Sequence, residues 1–430
     1  MRSGLVFRAM AVGCEVLIRP HRTLVGVLFV ASGVVLLLLW AVAPESVFLG
    51  NPSDYQAFHR PVAESLLAGR GLTADGRTLA TRYPPGYALL LAAIWAVTRP
   101  FGLRPETGVL ALNLVSVGLS AVFLYELAAL AATPGAGLVA AALWISYPFM
   151  LVLTKAPLTE LPFCALLYAG VLLCLRSLRA RGRHVLQAIA GGALLGAAML
   201  VRPIAIGVPL VLACAILAWG QGPWGRRVAL GGALLSGALL AVLPWEVLVF
   251  QRTGQLIPLS TGGPPSIRDG LTFAVHPQKA YRQPRAVPAD IRAVQMAVLE
   301  RYPRLNSVGA IAEVVFEQAC QRPLAVFKFV AWKAARAWYG TDTGRWEWPI
   351  LVIQLIYLSM IAAGAVIASR SPDTRGLALI PAAVIAYFWV MTVATLSILR
   401  YMVPAMGLGF VLAAWGAVGL RSRRTTPTRA

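Results

Sequence analysis

The chain has 430 residues, of which 58% are hydrophobic and only 13% are charged, and its mean hydropathy is +0.72. This composition excludes a soluble globular protein and indicates an integral membrane protein with many spans. The net charge of +21 comes almost wholly from arginine, which favours contact with membrane lipids and phosphates, and no nucleic-acid partner is expected.

Apolar runs long enough to cross the hydrocarbon core predict an all-α polytopic protein with about ten transmembrane helices. The predicted spans are residues 24–43, 107–131, 136–153, 160–178, 187–201, 203–219, 229–250, 349–369, 376–396 and 402–420. Ala41-Val42-Ala43 resembles a signal-peptidase site, but the apolar run before it is long for a signal peptide, which favours a retained first span.

The orientation of these spans depends on a shorter apolar run at 87–98. If this run lies on the membrane surface and residues 1–23 are cytoplasmic, the short arginine-rich loops and the basic tail at 421–430 all fall in the cytoplasm, as the positive-inside rule requires. If the run spans, they all fall outside. The sequence therefore predicts an interfacial helix at 87–98 and both termini in the cytoplasm. The arginine- and alanine-rich composition favours a bacterial plasma membrane.

This topology divides the chain into a transmembrane module at 24–250, which includes a first outer loop at 44–106, a long outer loop at 251–348, and C-terminal spans at 349–420. The long outer loop carries 13 Lys and Arg residues against 7 Asp and Glu residues, and this surplus favours an anionic ligand on the outer face. Tryptophans interleaved with basic residues predict an interfacial amphipathic helix in this loop. These residues are Trp332, Lys333, Arg336, Trp338, Arg345, Trp346 and Trp348.

Two acidic residues on the predicted outer face are candidates for catalysis. Asp54 lies in the first turn of a helix predicted over 54–68, where the helix dipole favours a negative charge, so it suits a general base or a cation ligand, or it is an ordinary helix-start residue. Glu160 opens a span, where an ionisable residue is costly unless it is functional or paired, for example with Lys155.

Three arginines on the same face are candidates for binding a phosphate. Arg202, between two short spans, and Arg400, before the last span, either extend to the membrane interface or contact a lipid phosphate with two hydrogen bonds. Arg82 precedes the rigid corner Pro84-Pro85-Gly86, which would direct its side chain along the membrane surface.

Other polar residues complete the predicted substrate-binding set. Ser260 and Thr261 lie in a glycine-rich turn that suits phosphate or sugar hydroxyls. Tyr55, Tyr83 and Lys155 are the further candidates. The 5 cysteines and 4 histidines do not cluster, so neither a disulfide framework nor a metal site is predicted. No cofactor is certain, and a requirement for a divalent cation stays open.

Several short motifs follow one another in a defined order. They are Asp54-Tyr55, Tyr83-Pro84-Pro85-Gly86-Tyr87, Thr159-Glu160, Leu200-Val201-Arg202-Pro203, Leu243-Pro244-Trp245, Pro258-Leu259-Ser260-Thr261-Gly262-Gly263 and Arg400-Tyr401-Met402-Val403-Pro404. Together with the predicted topology, this order resembles the GT-C superfamily of membrane glycosyltransferases, in the branch of protein O-mannosyltransferases and aminoarabinose transferases. The resemblance covers the chain from about Arg22 to Leu420.

The resemblance implies a GT-C-like fold and an enzyme that transfers a monosaccharide, with inversion at the anomeric carbon, from a polyprenyl-phosphate donor. The acceptor would be a glycan, a lipid or a protein on the outer, periplasmic face of the membrane. Asp54 matches the family's acidic residue in the first loop, the proposed base, and Glu160 matches its second acidic position on the outer face. Arg82, Arg202 and Arg400 match more loosely the basic positions expected to face the donor phosphate.

One residue departs from the pattern of the protein mannosyltransferases. That branch usually carries paired acidic residues in the first loop, whereas Tyr55 follows Asp54 here. The departure argues against a protein acceptor or leaves the acceptor open.

Two other functions share parts of this pattern. A ligase or polymerase that moves whole oligosaccharides from a diphosphate carrier would have the same basic outer loops. A lipid-carrier flippase or transporter would place ionisable residues or broken helices near the middle of the membrane, often in two related halves. The sequence shows no such repeat and its polar residues are concentrated outside the spans, which favours a glycosyltransferase.

Overall fold

The computed structural model describes residues 3–50, 52–179, 184–275, 287–370 and 372–424. Part of one predicted arginine-rich loop, 180–183, and residues 425–430 of the predicted basic tail lie outside the described residues. The helices are α1 Ser3–Val42, α2 Arg60–Leu67, α3 Gly86–Thr98, α4 Pro105–Ala131, α5 Pro134–Ile145, α6 Pro148–Leu151, α7 Glu160–Arg179, α8 His184–Val201, α9 Val208–Trp219, α10 Trp224–Thr253, α11 Gly263–Thr272, α12 Ala289–Glu300, α13 Val308–Gln321, α14 Pro323–Arg336, α15 Glu347–Ser369, α16 Pro372–Ala394 and α17 Leu399–Arg424.

Within the described ranges, 8 helices are long and apolar enough to cross a membrane: α1, α4, α7, α8, α10, α15, α16 and α17. The predicted all-α polytopic fold is therefore confirmed. The other two predicted spans are shorter helices. The run at 136–153 is interrupted before Pro148, and the run at 203–219 consists of a 3-10 turn at Pro203–Ala205 followed by α9. Proline lacks an N–H group and disfavours helical backbone in the residue before it, which explains both interruptions.

Glycines allow α8 and α10 to pack backbone against backbone. A Cβ atom added at Gly192 would lie 2.0 Å from the carbonyl oxygen of Leu234, and one at Gly237 would lie 2.0 Å from that of Ile189. Small residues at such contacts let membrane helices approach closely, because dispersion contacts must supply the association that lipid does not drive. The packing of α8 against α10 fixes the C-terminal end of α8, and Arg202 is the next residue.

The predicted helix over 54–68 forms in two parts. One π-helical turn covers Tyr55–His59, and α2 continues to Leu67 with Pro61 in its first turn. The missing N–H of Pro61 accounts for the change of helix type at this point. Gly69 follows with φ of 71°, a left-handed conformation that favours glycine and ends the helix.

The predicted interfacial run at 87–98 is helix α3, which begins against the end of α8. A Cβ atom added at Gly86 would lie 2.6 Å from both the carbonyl carbon and the carbonyl oxygen of Leu200. The glycine of the Tyr-Pro-Pro-Gly-Tyr motif is therefore required by a close backbone approach. This contact places the first loop next to Arg202.

We expect Gly86→Ala to destabilise the protein by about 1–3 kcal/mol, because the backbone of Leu200 cannot move away like a flexible side chain. Gly232→Ala in α10 is the matched control, since no atom lies within 4 Å of a Cβ atom added there. The thermal unfolding midpoint of each variant in nanodiscs measures the effect. Equal midpoints for the two variants would show that the contact between α3 and α8 does not contribute to stability.

Helix α14 covers part of the segment predicted as an interfacial amphipathic helix, and two of its basic residues face the protein interior. Lys333 and Arg336 are 2% and 5% exposed, whereas Leu324 and Phe327 are 63% and 70% exposed. The Lys333 ammonium donates 2.9 Å hydrogen bonds to two main-chain carbonyl oxygens, those of Gly270 and Thr395. A buried ammonium is tolerated only with such partners, so these contacts explain why the basic face turns inward.

Candidate functional site

Glu160, the first residue of α7, is the centre of a buried ion-pair network. Its side chain is 1% exposed, and its Oε1 lies 2.8 Å from Nη1 of Arg202. The same Nη1 donates a 2.7 Å hydrogen bond to Oγ1 of Thr159. Arg202 has an extended backbone, with φ of −140° and ψ of 114°, because Pro203 follows it. The break between α8 and α9 thus presents this arginine to Glu160.

The alternative of a Glu160–Lys155 pair, raised by the sequence, is wrong. Lys155 pairs instead with Glu45, whose Oε1 lies 2.6 Å from its Nζ. Glu160 therefore depends on partners that are distant in sequence.

Arg400, the second residue of α17, reaches the same carboxylate. Its Nε lies 3.2 Å from Oε1 of Glu160, and its Nη1 lies 3.7 Å from Oδ2 of Asp342. A guanidinium group carries five N–H donors, which is more than the contacts of Arg202 and Arg400 with Glu160, Thr159 and Asp342 use. Arg202 and Arg400 together are therefore suited to bind a further anion.

Tyr401 lies against both guanidinium groups. Its ring centroid is 5.0 Å from Cζ of Arg202 and 5.5 Å from Cζ of Arg400. Cation–π contacts at these distances contribute roughly 0.5–1 kcal/mol each and limit the directions that the guanidinium planes can take.

Contacts from the long loop hold the segment that leads into α17. Arg336 donates a 2.9 Å hydrogen bond to the carbonyl oxygen of Ser397 and forms a buried 2.8 Å ion pair with Glu347. The N–H group of Leu399 donates to the carbonyl oxygen of Gly340 at 2.8 Å. These bonds fix the start of α17, and with it the arginine that contacts the carboxylate of α7.

Asp54 lies at the exposed rim of this site, beside Tyr83. The charges of Asp54 and Arg82 both act on the hydroxyl group of Tyr83. Burial first, and then the negative charge of Asp54, raises the pKa of Tyr83 above its usual value, so its hydroxyl group stays protonated. Arg82 is exposed, whereas the side chains of Arg202 and Arg400 are only 12% and 23% exposed. The site therefore has a solvated rim and a buried floor.

His59 lies between the rim and the floor. It is 5% exposed, and its ring centroid is 5.1 Å from those of Tyr83 and Tyr87. The charges of Asp54 and Glu160 both act on it. One histidine thus connects the surroundings of the two predicted catalytic carboxylates.

The burial of His59 predicts a loss of stability in acid. Burial lowers its pKa from the usual 6.5 to about 4. Between pH 6.5 and pH 4 the unfolded chain therefore binds a proton that the folded chain does not, and stability falls as the pH falls, by up to about 3 kcal/mol. We expect His59→Phe to lose less stability than the wild-type protein between pH 7 and pH 4.5, measured by unfolding midpoints. Equal losses in both proteins would contradict this assignment.

The predicted glycine-rich turn packs against the rim. The N–H group of Thr261 donates a 2.9 Å hydrogen bond to the carbonyl oxygen of Thr81. A Cβ atom added at Gly262 would lie 2.6 Å from the carbonyl oxygen of Arg82. Ser260 is half-buried and Thr261 is exposed. The turn is thus adjacent to the predicted phosphate-binding residues, and contact of its two hydroxyl groups with substrate stays a prediction.

Tyr55 and Lys155, two further predicted substrate-binding residues, lie apart from the Glu160 network. Both line a cleft with a volume of about 250 Å³, together with Glu45 and Glu106. The structure therefore separates the predicted substrate-binding residues into two places.

Metal ligands do not gather at this site. In the described ranges of the chain, no group of three or more His, Cys, Asp or Glu side chains is arranged to hold a metal ion. The charges described at the site belong to protein side chains.

The fold is similar to those of solved membrane enzymes. It matches an oligosaccharyltransferase of Archaeoglobus fulgidus, tethered with an acceptor peptide, with a TM-score of 0.56 and 14% identity over 92% of this chain and 49% of that chain. The archaeal oligosaccharyltransferase AglB of Archaeoglobus fulgidus, in complex with an inhibitory peptide and a dolichol-phosphate, gives a TM-score of 0.51 and 12% identity over 93% of this chain and 50% of that chain. The chain has the GT-C fold. It spans about half the length of these oligosaccharyltransferases.

A further similarity is to ArnT of Cupriavidus metallidurans bound to undecaprenyl phosphate, with a TM-score of 0.44 and 15% identity over 92% of this chain and 77% of that chain. By sequence, no family model and no curated protein matches the chain. The two oligosaccharyltransferase matches confirm the predicted resemblance to GT-C proteins at the level of the fold alone.

Within the GT-C fold, sequence reasoning misses three residues of the site. His59, Asp342 and Thr159 each contact or flank predicted site residues. The aromatic residues Tyr55 and Phe58 precede His59 in the same helical segment, and this pattern could have predicted that His59 is buried. No local signal marks Asp342, because its partner is far away in the chain.

Proposed function

We propose that the protein is an inverting glycosyltransferase that moves a monosaccharide from a polyprenyl-phosphate donor to an acceptor on the outer face of a bacterial plasma membrane. The observation that carries the proposal is the half-buried pair of arginines, Arg202 and Arg400, which share the buried carboxylate of Glu160 at one end of the helical bundle. A phosphate monoester is the leaving group that such a pair would stabilise.

The site contains the groups that this reaction needs. The acceptor oxygen attacks the anomeric carbon from the face opposite the phosphate, the bond between that carbon and the phosphate oxygen breaks, and polyprenyl phosphate leaves with the bond electrons. Asp54, at the rim, receives the proton of the acceptor hydroxyl as general base. Arg202 and Arg400 balance the charge on the leaving phosphate, and Arg82 assists from the rim.

The distribution of arginines supports an outward-facing site. Arg179, Arg226, Arg227 and Arg370 lie at the end of the bundle opposite Glu160, since α7 ends, α10 begins and α15 ends there. By the positive-inside rule, that end faces the cytoplasm. The GT-C fold also supports the proposal, because the similar archaeal oligosaccharyltransferase is described in complex with a dolichol-phosphate.

The proposal is tested with purified protein in nanodiscs, radiolabelled polyprenyl-phosphate monosaccharides and a membrane extract as acceptor. We expect one donor to release free polyprenyl phosphate while its sugar appears on an acceptor. Arg82→Ala should weaken binding of that donor roughly tenfold, because a charge-assisted hydrogen bond is lost. Arg292→Ala, an exposed arginine on α12, is the matched control and should bind the donor normally.

Other outcomes would replace the proposal. Turnover of lipid-diphosphate oligosaccharides alone would establish a ligase or polymerase. Movement of labelled lipid across liposome bilayers without bond cleavage would establish a flippase.

A further inference from the structure

The cleft that contains Tyr55 and Lys155 has the size of one sugar ring. Its volume is about 250 Å³, and it lies between the end of α1, the start of α4 and the turn after α6. Small-molecule pockets occupy roughly 300–1,000 Å³, so this cleft suits a monosaccharide-sized group and is too small for a folded peptide or an oligosaccharide.

The cleft contains a hydrogen-bonding group without a protein partner. Tyr55 is 2% exposed and lines the cleft, yet its hydroxyl group forms no hydrogen bond within the described residues. A buried hydroxyl group without a partner costs roughly 1–3 kcal/mol, and a bound ligand with a polar atom at this position would remove that cost.

The charges of the cleft differ from those of the arginine site. Two carboxylates, Glu45 and Glu106, and one ammonium, Lys155, line it, which gives a net charge of −1 from these three groups. Lys155 is already paired with Glu45, and Arg60 lies 4.0 Å from Glu106, so neither cation is left unpaired for an anionic head group. Carboxylates beside a tyrosine hydroxyl are suited to bind the hydroxyl groups of a neutral sugar.

The other residues that line the cleft are apolar, and exposed apolar side chains lie on the neighbouring segments. Val109 and Leu110 of α4 line it. Val42, at the end of α1, is 83% exposed, and Leu103, before α4, is 44% exposed. In a protein of this fold, such side chains face lipid, so a ligand of the cleft can keep an apolar tail in the bilayer.

Two buried tyrosines connect the cleft with the floor of the site. Tyr87 is fully buried, its hydroxyl group also has no hydrogen-bond partner within the described residues, and both Tyr55 and Glu160 act on it electrostatically. Asp54 immediately precedes Tyr55 in the chain. A group in the cleft is therefore close to the segment that carries the proposed base.

We infer that the cleft binds the neutral, hydroxyl-bearing head group of a membrane glycolipid, and that this lipid is the sugar acceptor. The acceptor role rests on the proposed function. The two sites then bind groups of different charge. The phosphate of the donor binds at the arginines, and the uncharged head group of the acceptor binds at the carboxylates.

A photocrosslinking experiment tests this inference independently of catalysis. Leu110→p-benzoylphenylalanine places a photoreactive group in the cleft, and the same replacement of Leu239, which is 62% exposed on α10, is the control. The protein is reconstituted in phosphatidylcholine nanodiscs that contain equal amounts of monoglucosyldiacylglycerol and phosphatidylglycerol. After irradiation, mass spectrometry measures the ratio of the two lipid adducts.

We expect the ratio of glycolipid to phosphatidylglycerol adducts to be several-fold higher at position 110 than at position 239. Adding Tyr55→Phe should lower the ratio at position 110 about fivefold, because one hydrogen bond to the sugar is lost. Equal ratios at the two positions, or a preference for phosphatidylglycerol at position 110, would overturn the inference.

Failure of the proposed function gives a different result. In that case the wild-type protein releases no polyprenyl phosphate from any donor and still captures glycolipid selectively at position 110. That result would establish the head-group specificity of the cleft and would refute its role as the acceptor site.

Discussion

Asp54→Asn is expected to reduce sugar transfer roughly 10²- to 10⁴-fold, the range typical of a lost general base. The asparagine side chain has the same shape, but it cannot take the proton of the attacking hydroxyl group. Binding of polyprenyl phosphate should stay near the wild-type value, since the arginines that would hold it are unchanged. The transfer rate and the Kd for polyprenyl phosphate, measured on the same preparation, separate these effects.

Asp290→Asn is the matched control for this substitution. Asp290 is a carboxylate of α12 paired with Lys328 at 2.8 Å, outside the proposed site, and its replacement should leave transfer intact. Full activity of Asp54→Asn would refute the role of Asp54 as the base, even if donor binding behaves as expected.

Glu160→Gln is expected to lower the free energy of unfolding by about 3–5 kcal/mol, because it removes the buried carboxylate that both guanidinium groups share and leaves Arg400 with only the 3.7 Å contact with Asp342. An anion that binds the same arginines should restore part of this loss. Polyprenyl phosphate is therefore expected to raise the unfolding midpoint of Glu160→Gln more than that of the wild-type protein.

Glu347→Gln provides the comparison that isolates the anion site. Glu347 is 3% exposed and pairs with Arg336 at 2.8 Å, so its replacement should cost similar stability. Arg336 keeps its hydrogen bonds to the carbonyl oxygens of Ser397 and Thr341 in this variant, so polyprenyl phosphate should give Glu347→Gln no greater shift than the wild-type protein. Equal stabilisation of both variants would show that the arginine pair at Glu160 is not the binding site.

The spans are predictable from the sequence because each one is a continuous apolar run, and this property needs no knowledge of partners. The interruptions at Pro148 and Pro203 are also local, and the proline positions carry the signal for both. The resemblance to GT-C proteins follows from the order of short motifs, and the structure confirms it as a fold.

The pairing of charges could not be predicted in the same way. Lys155 is the nearest cation to Glu160 along the chain, yet the structure selects Arg202 and Arg400, which come from two breaks between helices. Which charges meet depends on the packing of α7, α8 and α17, and no local pattern records it. The positions of Tyr55 and Lys155 in a separate cleft likewise depend on how α1 meets α4.

The orientation of α14 could not be predicted from the sequence for a related reason. Tryptophans and basic residues alternate along this segment, and that pattern is typical of a helix with its charges in water. The structure instead provides carbonyl oxygens for Lys333 and a carboxylate for Arg336 in the interior. Acceptors contributed by other segments thus reverse the expected faces of the helix.

Because the charges of α14 face inward, its exposed apolar face makes surrounding lipid part of what supports the proposed site. Leu324 and Phe327 require an apolar environment, while the opposite face of the same helix secures the segment that leads to Arg400. A short-chain detergent that strips annular lipid from this face should therefore loosen the arginine before it disturbs the helical bundle. Across a series of detergents, activity should follow the amount of retained lipid and should fail while the bundle is still folded.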